Sequence, residues 1–158
     1  MLDCSAVFLT STRGVQPSYA GLAYAAFAGT MTVGRLTGDA IVRRIGGARV
    51  VFIGSLIAAM GLAFATLVPT WEAGMLGFAL VGVGCSNIVP VLYTAVGRQK
   101  VVPEHVAVPA ISTLGYAEIL VGPAIIGFLA HVSSLPIAFL AVAILLLGVA
   151  AGARMLGS

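Results

Sequence analysis

Apolar residues gather into five long runs, Tyr19 to Val42, Val50 to Val68, Ala73 to Val96, Val106 to Val132 and Leu135 to Ala153. A helix needs about twenty such residues to cross a hydrocarbon core of roughly 30 Å, so each run predicts one complete transmembrane span. The breaks between them are short and chemically clear: Gly46-Gly47, Pro69-Thr70-Trp71-Glu72, Gly97 to Glu104, and Ser133-Ser134 ahead of Pro136. Leu2 to Thr12 is also apolar but only half a span long, which predicts a partial N-terminal span whose upstream part is missing. Strands are excluded, because an open sheet leaves unpaired edges in lipid and the runs lack the alternation of a membrane barrel. The expected fold is all-α and transmembrane: one helical bundle over residues 1–158, with five complete spans plus the partial one.

Composition agrees with lipid as the solvent. Hydrophobic residues make up 60% of the 158 and charged residues only 8%, against about a quarter charged in a soluble domain. The net charge of +3 rests on eight Lys and Arg scattered between apolar runs, not gathered on one face as nucleic-acid binding requires. Arg43, Arg44, Arg49, Arg98, Lys100 and Arg154 fall in alternate connections or at the C-terminus, whereas the opposite side has only Arg13. The excess of cations marks the cytoplasmic face and puts the C-terminus inside; Tyr19 and Trp71 then sit at the outer interface. The first residues carry no basic region with a cleavage site, so no signal peptide is expected.

Polar content sorts the spans. Val50 to Val68 and Leu135 to Ala153 hold only Ser55 and Thr66, which predicts helices facing lipid. Tyr19 to Val42 carries Thr30, Thr32, Arg35 and Asp39; Ala73 to Val96 carries Ser86, Asn87, Tyr93 and Thr94; Val106 to Val132 carries Ser112, Thr113, Tyr116 and Glu118. Such residues face other helices or a wet cavity. Glu118 lies mid-span with Gly115 and Gly122 on the same helical face, so it is expected against protein or water. Pro90 removes a donor from its span and predicts a bend, with Asn87 one turn away. Gly34 and Gly38 make a small-residue step suited to close helix packing, as do Gly115, Gly122, Pro123 and Gly127 further on. Arg35 and Asp39 stand four apart and are placed to pair on one helix face.

Catalytic signatures are missing. There is no zinc-protease His-Glu-x-x-His, no Gly-x-Ser-x-Gly elbow and no phosphate loop, and only five carboxylates in the chain. His105 and His131 lack metal-ligand spacing, and Cys4 and Cys85 read as separate buried thiols. The chain is read as a non-enzyme without metal or cofactor.

Several segments in order resemble the C-terminal half of the major facilitator superfamily. Arg44-x-Gly46 with Arg49 is similar to its short cytoplasmic loop between the second and third spans of a half. Gly34-Arg35-Leu36-x-Gly38-Asp39 resembles the end of span eight, Gly84-Cys85-Ser86-Asn87-Ile88-Val89-Pro90 resembles span ten, and Gly115-Tyr116 with Gly122-Pro123 and Gly127 resembles span eleven. Asp3-Cys4-Ser5-Ala6 looks like the outer part of span seven in a branch similar to fucose permease-like sugar transporters, with Cys4 in place of the usual Trp. A second departure is Arg43, which stands where the family pattern has an Asp.

The resemblance implies one half of a major facilitator fold in a bacterial inner membrane. It implies a secondary transporter moving a small solute, a sugar or other metabolite, with an N-terminal half and the bilayer as partners and protons as one choice of coupling ion. Glu118, Asn87 and Asp3 become candidates for solute or ion contact, and Arg35, Asp39, Arg43, Arg44 and Arg49 for a cytoplasmic gate. Plainer readings stand beside it: Glu118 as a protonated carboxyl bonded to a neighbouring helix, Asn87 as an interhelical hydrogen bond, the arginines as positive-inside anchors with one surface ion pair, and the whole chain as a structural or assembly membrane protein without transport.

Overall fold

The computed structural model describes residues 10, 14, 16–98 and 103–156. Asp3, Cys4, Arg13, Lys100 and nearly all of the expected partial span lie outside the described residues. Among those described, six helices follow one another: α1 (Pro17–Ile45), α2 (Gly47–Leu67), α3 (Trp71–Cys85), α4 (Ile88–Arg98), α5 (Glu104–Val132) and α6 (Leu135–Leu156).

Local chemistry sets their ends. Pro17 opens α1 at a position where its missing N–H is no loss. Gly46 alone turns the chain from α1 into α2, at φ 86° and ψ 149°, a region that side chains other than glycine's essentially never occupy. Its N–H donates to the Val42 carbonyl at 2.9 Å, and its own carbonyl accepts from the Val50 N–H at 3.1 Å. The expected loop is therefore a one-residue corner. Arg43 and Arg44 fall in the last turn of α1, where the helix dipole favours cations. α3 starts at Thr70, whose Oγ1 accepts from the Ala73 N–H at 3.3 Å, with Glu72 in its first turn.

The run from Ala73 to Val96 is two helices. α3 ends at Cys85, Ser86 and Asn87 form a turn, and α4 begins at Ile88. Pro90 explains the break: it offers no N–H to the Ser86 carbonyl, and its ring crowds that turn. Taken together, Trp71–Arg98 is long and apolar enough to cross a membrane, as are Gly47–Leu67, His105–Val132 and Leu135–Ala153. The chain is a multi-pass membrane protein. Of the five complete spans expected, these four meet both requirements. α1, at 29 residues, reaches about 43 Å and so has the length, but Thr30, Thr32, Arg35, Thr37, Asp39, Arg43 and Arg44 make it more polar than the others.

Packing departs from the polar-content reading. α2 stands between α3 and α6, α1 lies along α3, and α5 rests mainly on α6 and α4. The helix expected to face lipid, Val50 to Val68, is thus central, because its small residues matter more than its lack of charge. Gly54 meets Gly84 and Gly61 meets Gly77; a Cβ on Gly61 would stand 2.6 Å from the Gly77 carbonyl oxygen and 2.9 Å from Leu80 Cβ. The pairs are about two turns apart in each helix, so the antiparallel backbones touch along a seam. α6 does keep an exposed apolar side, with Ile144 and Leu145 both 69% exposed.

The core collects toward the end of the bundle marked by the 68–70 and 133–134 connections. Phe27, Leu62, Ala65, Phe78, Val81, Ile126 and Phe139 meet there. Phe78 and Phe139 are edge-to-face at 5.8 Å and 76°, an arrangement worth about 0.5–1.5 kcal/mol beyond burial. Ser55 is fully enclosed, and its hydroxyl has no hydrogen-bond partner among the described residues.

Three single substitutions separate these effects in thermal unfolding of the detergent-solubilised chain. Gly61→Ala forces the seam apart and is expected to destabilise by about 1–3 kcal/mol. Gly29→Ala, where a Cβ meets open space, is expected to be neutral or to stabilise by up to about 1 kcal/mol. Ser55→Ala removes an unpaired buried hydroxyl and is expected not to destabilise.

Candidate functional site

The break between α3 and α4 gathers polar side chains inside the bundle. Asn87 Nδ2 donates across to the Gly34 carbonyl at 3.0 Å and to Ser86 Oγ at 3.1 Å, while Ser86 Oγ donates to the Val83 carbonyl at 2.7 Å. Absent side chains make this possible: the space a Cβ on Gly34 would take is filled by Ser86, and that of Gly38 by Asn87. One helical stretch earlier, Gly82 admits Thr30 in the same way. The Thr30 hydroxyl reaches the Ala79 carbonyl at 3.0 Å, sharing its single proton with the Ala26 and Phe27 carbonyls at 2.7 and 3.1 Å. α1 and α3 thus run parallel in register, joined by cross-helix hydrogen bonds wherever a glycine lets them meet.

With that face of α1 taken, its charged residues point elsewhere. Arg35 and Asp39 are both exposed. The expected pairing is not made: among the described residues no ion pair joins them, since an exposed pair of this kind gains only about 0.3–0.5 kcal/mol. Arg43, Arg44 and Arg49 are exposed around the Gly46 corner.

Glu118 sits in the middle of α5. It is exposed, as are Thr113 and Tyr116, and Leu120 beside them is 78% exposed. A Cβ on Gly115, Gly122 or Gly127 would meet nothing within 4 Å, so the small-residue face expected to pack is unpacked among the described residues. Pro123 is likewise exposed, inside a helix that continues past it. The reason lies in how α5 is held. Ile126, with Leu129 and Ala130, joins the core near one end; toward the other, Ala107 is buried and Ser112 Oγ bonds Tyr93 Oη of α4 at 3.1 Å. Between these anchors the helix stands clear. Cys85, a partly buried free thiol, ends α3.

The α3/α4 break with Asn87 and the open middle of α5 with Glu118 are taken together as the candidate site. Ser86, Tyr93 and Ser112 belong to it too. They were visible in the sequence as polar content, but only the folded contacts tie them to the site. His105 and His131 are exposed toward opposite ends of α5, and among the described residues no three His, Cys, Asp or Glu side chains gather as a metal site.

The chain is 55% identical over 154 residues to an uncharacterised MFS-type transporter of Yersinia pestis, covering 98% of this chain and 40% of that protein. It is 33% identical over 138 residues to an uncharacterised transporter of Sinorhizobium fredii, 87% of this chain and 37% of that one. It is 32% identical over 129 residues to membrane protein MosC of Rhizobium meliloti, 82% and 32% respectively. The chain spans two fifths or less of the length of these curated relatives. No protein-family profile and no solved structure matches it.

A double-mutant cycle tests the Gly38–Asn87 contact. Gly38→Ala drives a methyl into the Asn87 carboxamide and is expected to destabilise the wild-type background. In Asn87→Ala, which itself loses about 1 kcal/mol of hydrogen bonding, the same change is expected to cost less, with a coupling of about 0.5–3 kcal/mol. Additive effects in thermal unfolding would reject the contact.

Proposed function

We propose that the chain is the C-terminal half of a major facilitator secondary transporter, which moves a small solute across a bacterial inner membrane by alternating access. The observation that carries this reading is the 55% identity across 98% of the chain to a protein named as an MFS-type transporter, of which only 40% is covered. Alternating access needs two repeats rocking about a site between them; this chain supplies one. An N-terminal half is the proposed partner. No catalytic role, cofactor or nucleic-acid contact enters the proposal.

The exposed polar surface supports it. A charged carboxylate facing lipid at mid-bilayer costs about 2.5–3.5 kcal/mol on insertion scales, yet Glu118 is exposed among the described residues. A second half, with a wet cavity between, removes that conflict and gives Gly115, Gly122 and Gly127 a surface to pack on. In this reading Glu118 is the solute-binding or proton-coupling carboxylate and Asn87 a solute contact at the α3/α4 break. Asp3 is the third candidate contact. Arg35, Asp39, Arg43, Arg44 and Arg49 form the cytoplasmic gate, and the fucose permease-like resemblance makes a sugar or related metabolite the solute class.

Two measurements test the proposal. Single cysteines introduced at positions 71, 98 and 154 are expected to label from outside only at 71; outside labelling at 98 or 154 would overturn the orientation. Reconstituted in liposomes, the chain alone is expected to give no uptake, and joined to a matching N-terminal half it is expected to restore it. In that joined protein Glu118→Gln is expected to leave folding intact and abolish the pH dependence of transport. Unchanged pH dependence removes Glu118 from coupling, and failure with every N-terminal half favours a structural or assembly role.

A further inference from the structure

At the end of the bundle away from the Phe78–Phe139 core, the helices do not close. The last turns of α1, α4 and α6 and the first turns of α2 surround a cavity of about 410 Å³, within the roughly 300–1,000 Å³ of ligand sites. Its walls are apolar, Val42, Val51, Val91 and Val149 among them, and Ala95 and Gly152 put little into the space. Two polar side chains line it, Thr94 and Arg98. Thr94 spends its hydroxyl proton on the Pro90 carbonyl at 2.9 Å. Arg98, the final residue of α4, is exposed and has neither an ion pair nor a hydrogen bond among the described residues.

Among the described side chains at this end, cations outnumber carboxylates. Arg43, Arg44 and Arg49 are exposed around the same corner, with Asp39 one to two turns back along α1. Such an end is hostile to a second copy presenting the same cations and favourable to a compact anion. In a chain that crosses the membrane, helix ends lie at the level of the lipid headgroups, and a cationic rim there attracts anionic lipids. An apolar void beside that level forfeits dispersion contacts unless hydrocarbon fills it.

We propose that this cavity holds an acyl chain of an anionic phospholipid, with the headgroup phosphate bound by Arg98. The site needs the chain to be embedded in a bilayer but depends neither on transport nor on which leaflet the cationic end occupies, so failure of the transport reading leaves it standing. The lipid acts as a wedge between α1, α2, α4 and α6 at the end where the protein's own side chains leave the bundle open.

The test uses the full chain in detergent, with phosphatidylglycerol and phosphatidylcholine of identical acyl chains as probes, read by native mass spectrometry and by thermal unfolding. Phosphatidylglycerol is expected to stay bound and raise the unfolding temperature more than phosphatidylcholine. Arg98→Gln is expected to lower phosphatidylglycerol retention by about fivefold, the effect of one interfacial cation on an anionic lipid, without changing stability in lipid-free detergent. Ala95→Phe, or Gly152→Val if the first does not fold, fills the cavity and is expected to abolish retention of both lipids. Equal retention of the two lipids by the wild type overturns the proposal. So does wild-type retention in either Arg98→Gln or a folded cavity-filling variant, or a cavity-filling variant that changes the oligomeric state while lipid retention stays the same.

Discussion

The contact between the α2 and α3 backbones governs the arrangement of the other helices. Lipid tails are as apolar as leucine, so membrane helices gain nothing by hiding hydrophobic surface from one another and associate through close packing and hydrogen bonds. Gly54 on Gly84 and Gly61 on Gly77 provide that closeness, backbone against backbone with no side chain between. Once α2 and α3 are locked antiparallel, the other side of α2 receives α6 and the outer flank of α3 receives α1. Larger residues at the seam would hold the two helices apart, and the Phe27, Phe78 and Phe139 cluster would have no common centre.

The same economy of side chains places the polar site. Gly34, Gly38 and Gly82 bring α1 so near α3 that Asn87 and Thr30 can reach carbonyls on the neighbouring helix. Pro90 adds the complementary element by opening α3 from α4 at Ser86-Asn87, where a carboxamide is available to bridge helices. A hydrogen bond between helices in lipid contributes modestly, commonly about 0.6 kcal/mol, so its larger effect is on register: with Asn87 bound to Gly34, α1 cannot slide along α3 without losing the bond.

Closure is uneven along the bundle. One end is filled by aromatic and branched side chains, whereas the cationic end leaves a cavity between four helices. α5 repeats the theme sideways, held by Ile126 toward one end and by Ala107 and the Tyr93–Ser112 bond toward the other, with its middle uncovered. A bundle with an unfilled end and an unfilled side has surfaces shaped by whatever it meets in the membrane. Glu118 lies on one of them and Arg98 on the other.

Much of this was legible in the amino-acid order, because bilayer thickness and helix geometry act on every segment locally. Run lengths of twenty or so apolar residues, the breaks at Gly46, Pro69 and Ser133-Ser134, and the bend ahead of Pro90 each depend on a residue and its near neighbours. The membrane class and the helix ends therefore follow without knowledge of packing. Which faces touch does not. Gly34 and Gly115 look alike in sequence, yet the first lies against Ser86 and the second meets open space. Val50 to Val68 has the composition of a lipid-facing helix and is the central one. Arg35 and Asp39 have pairing distance along the helix and do not pair. In each case the deciding partner is remote in the chain, and a glycine or an apolar run carries no mark of whether it will meet a neighbouring backbone, a lipid tail or nothing. That choice was made by the tertiary structure, through which pair of helices could approach most closely.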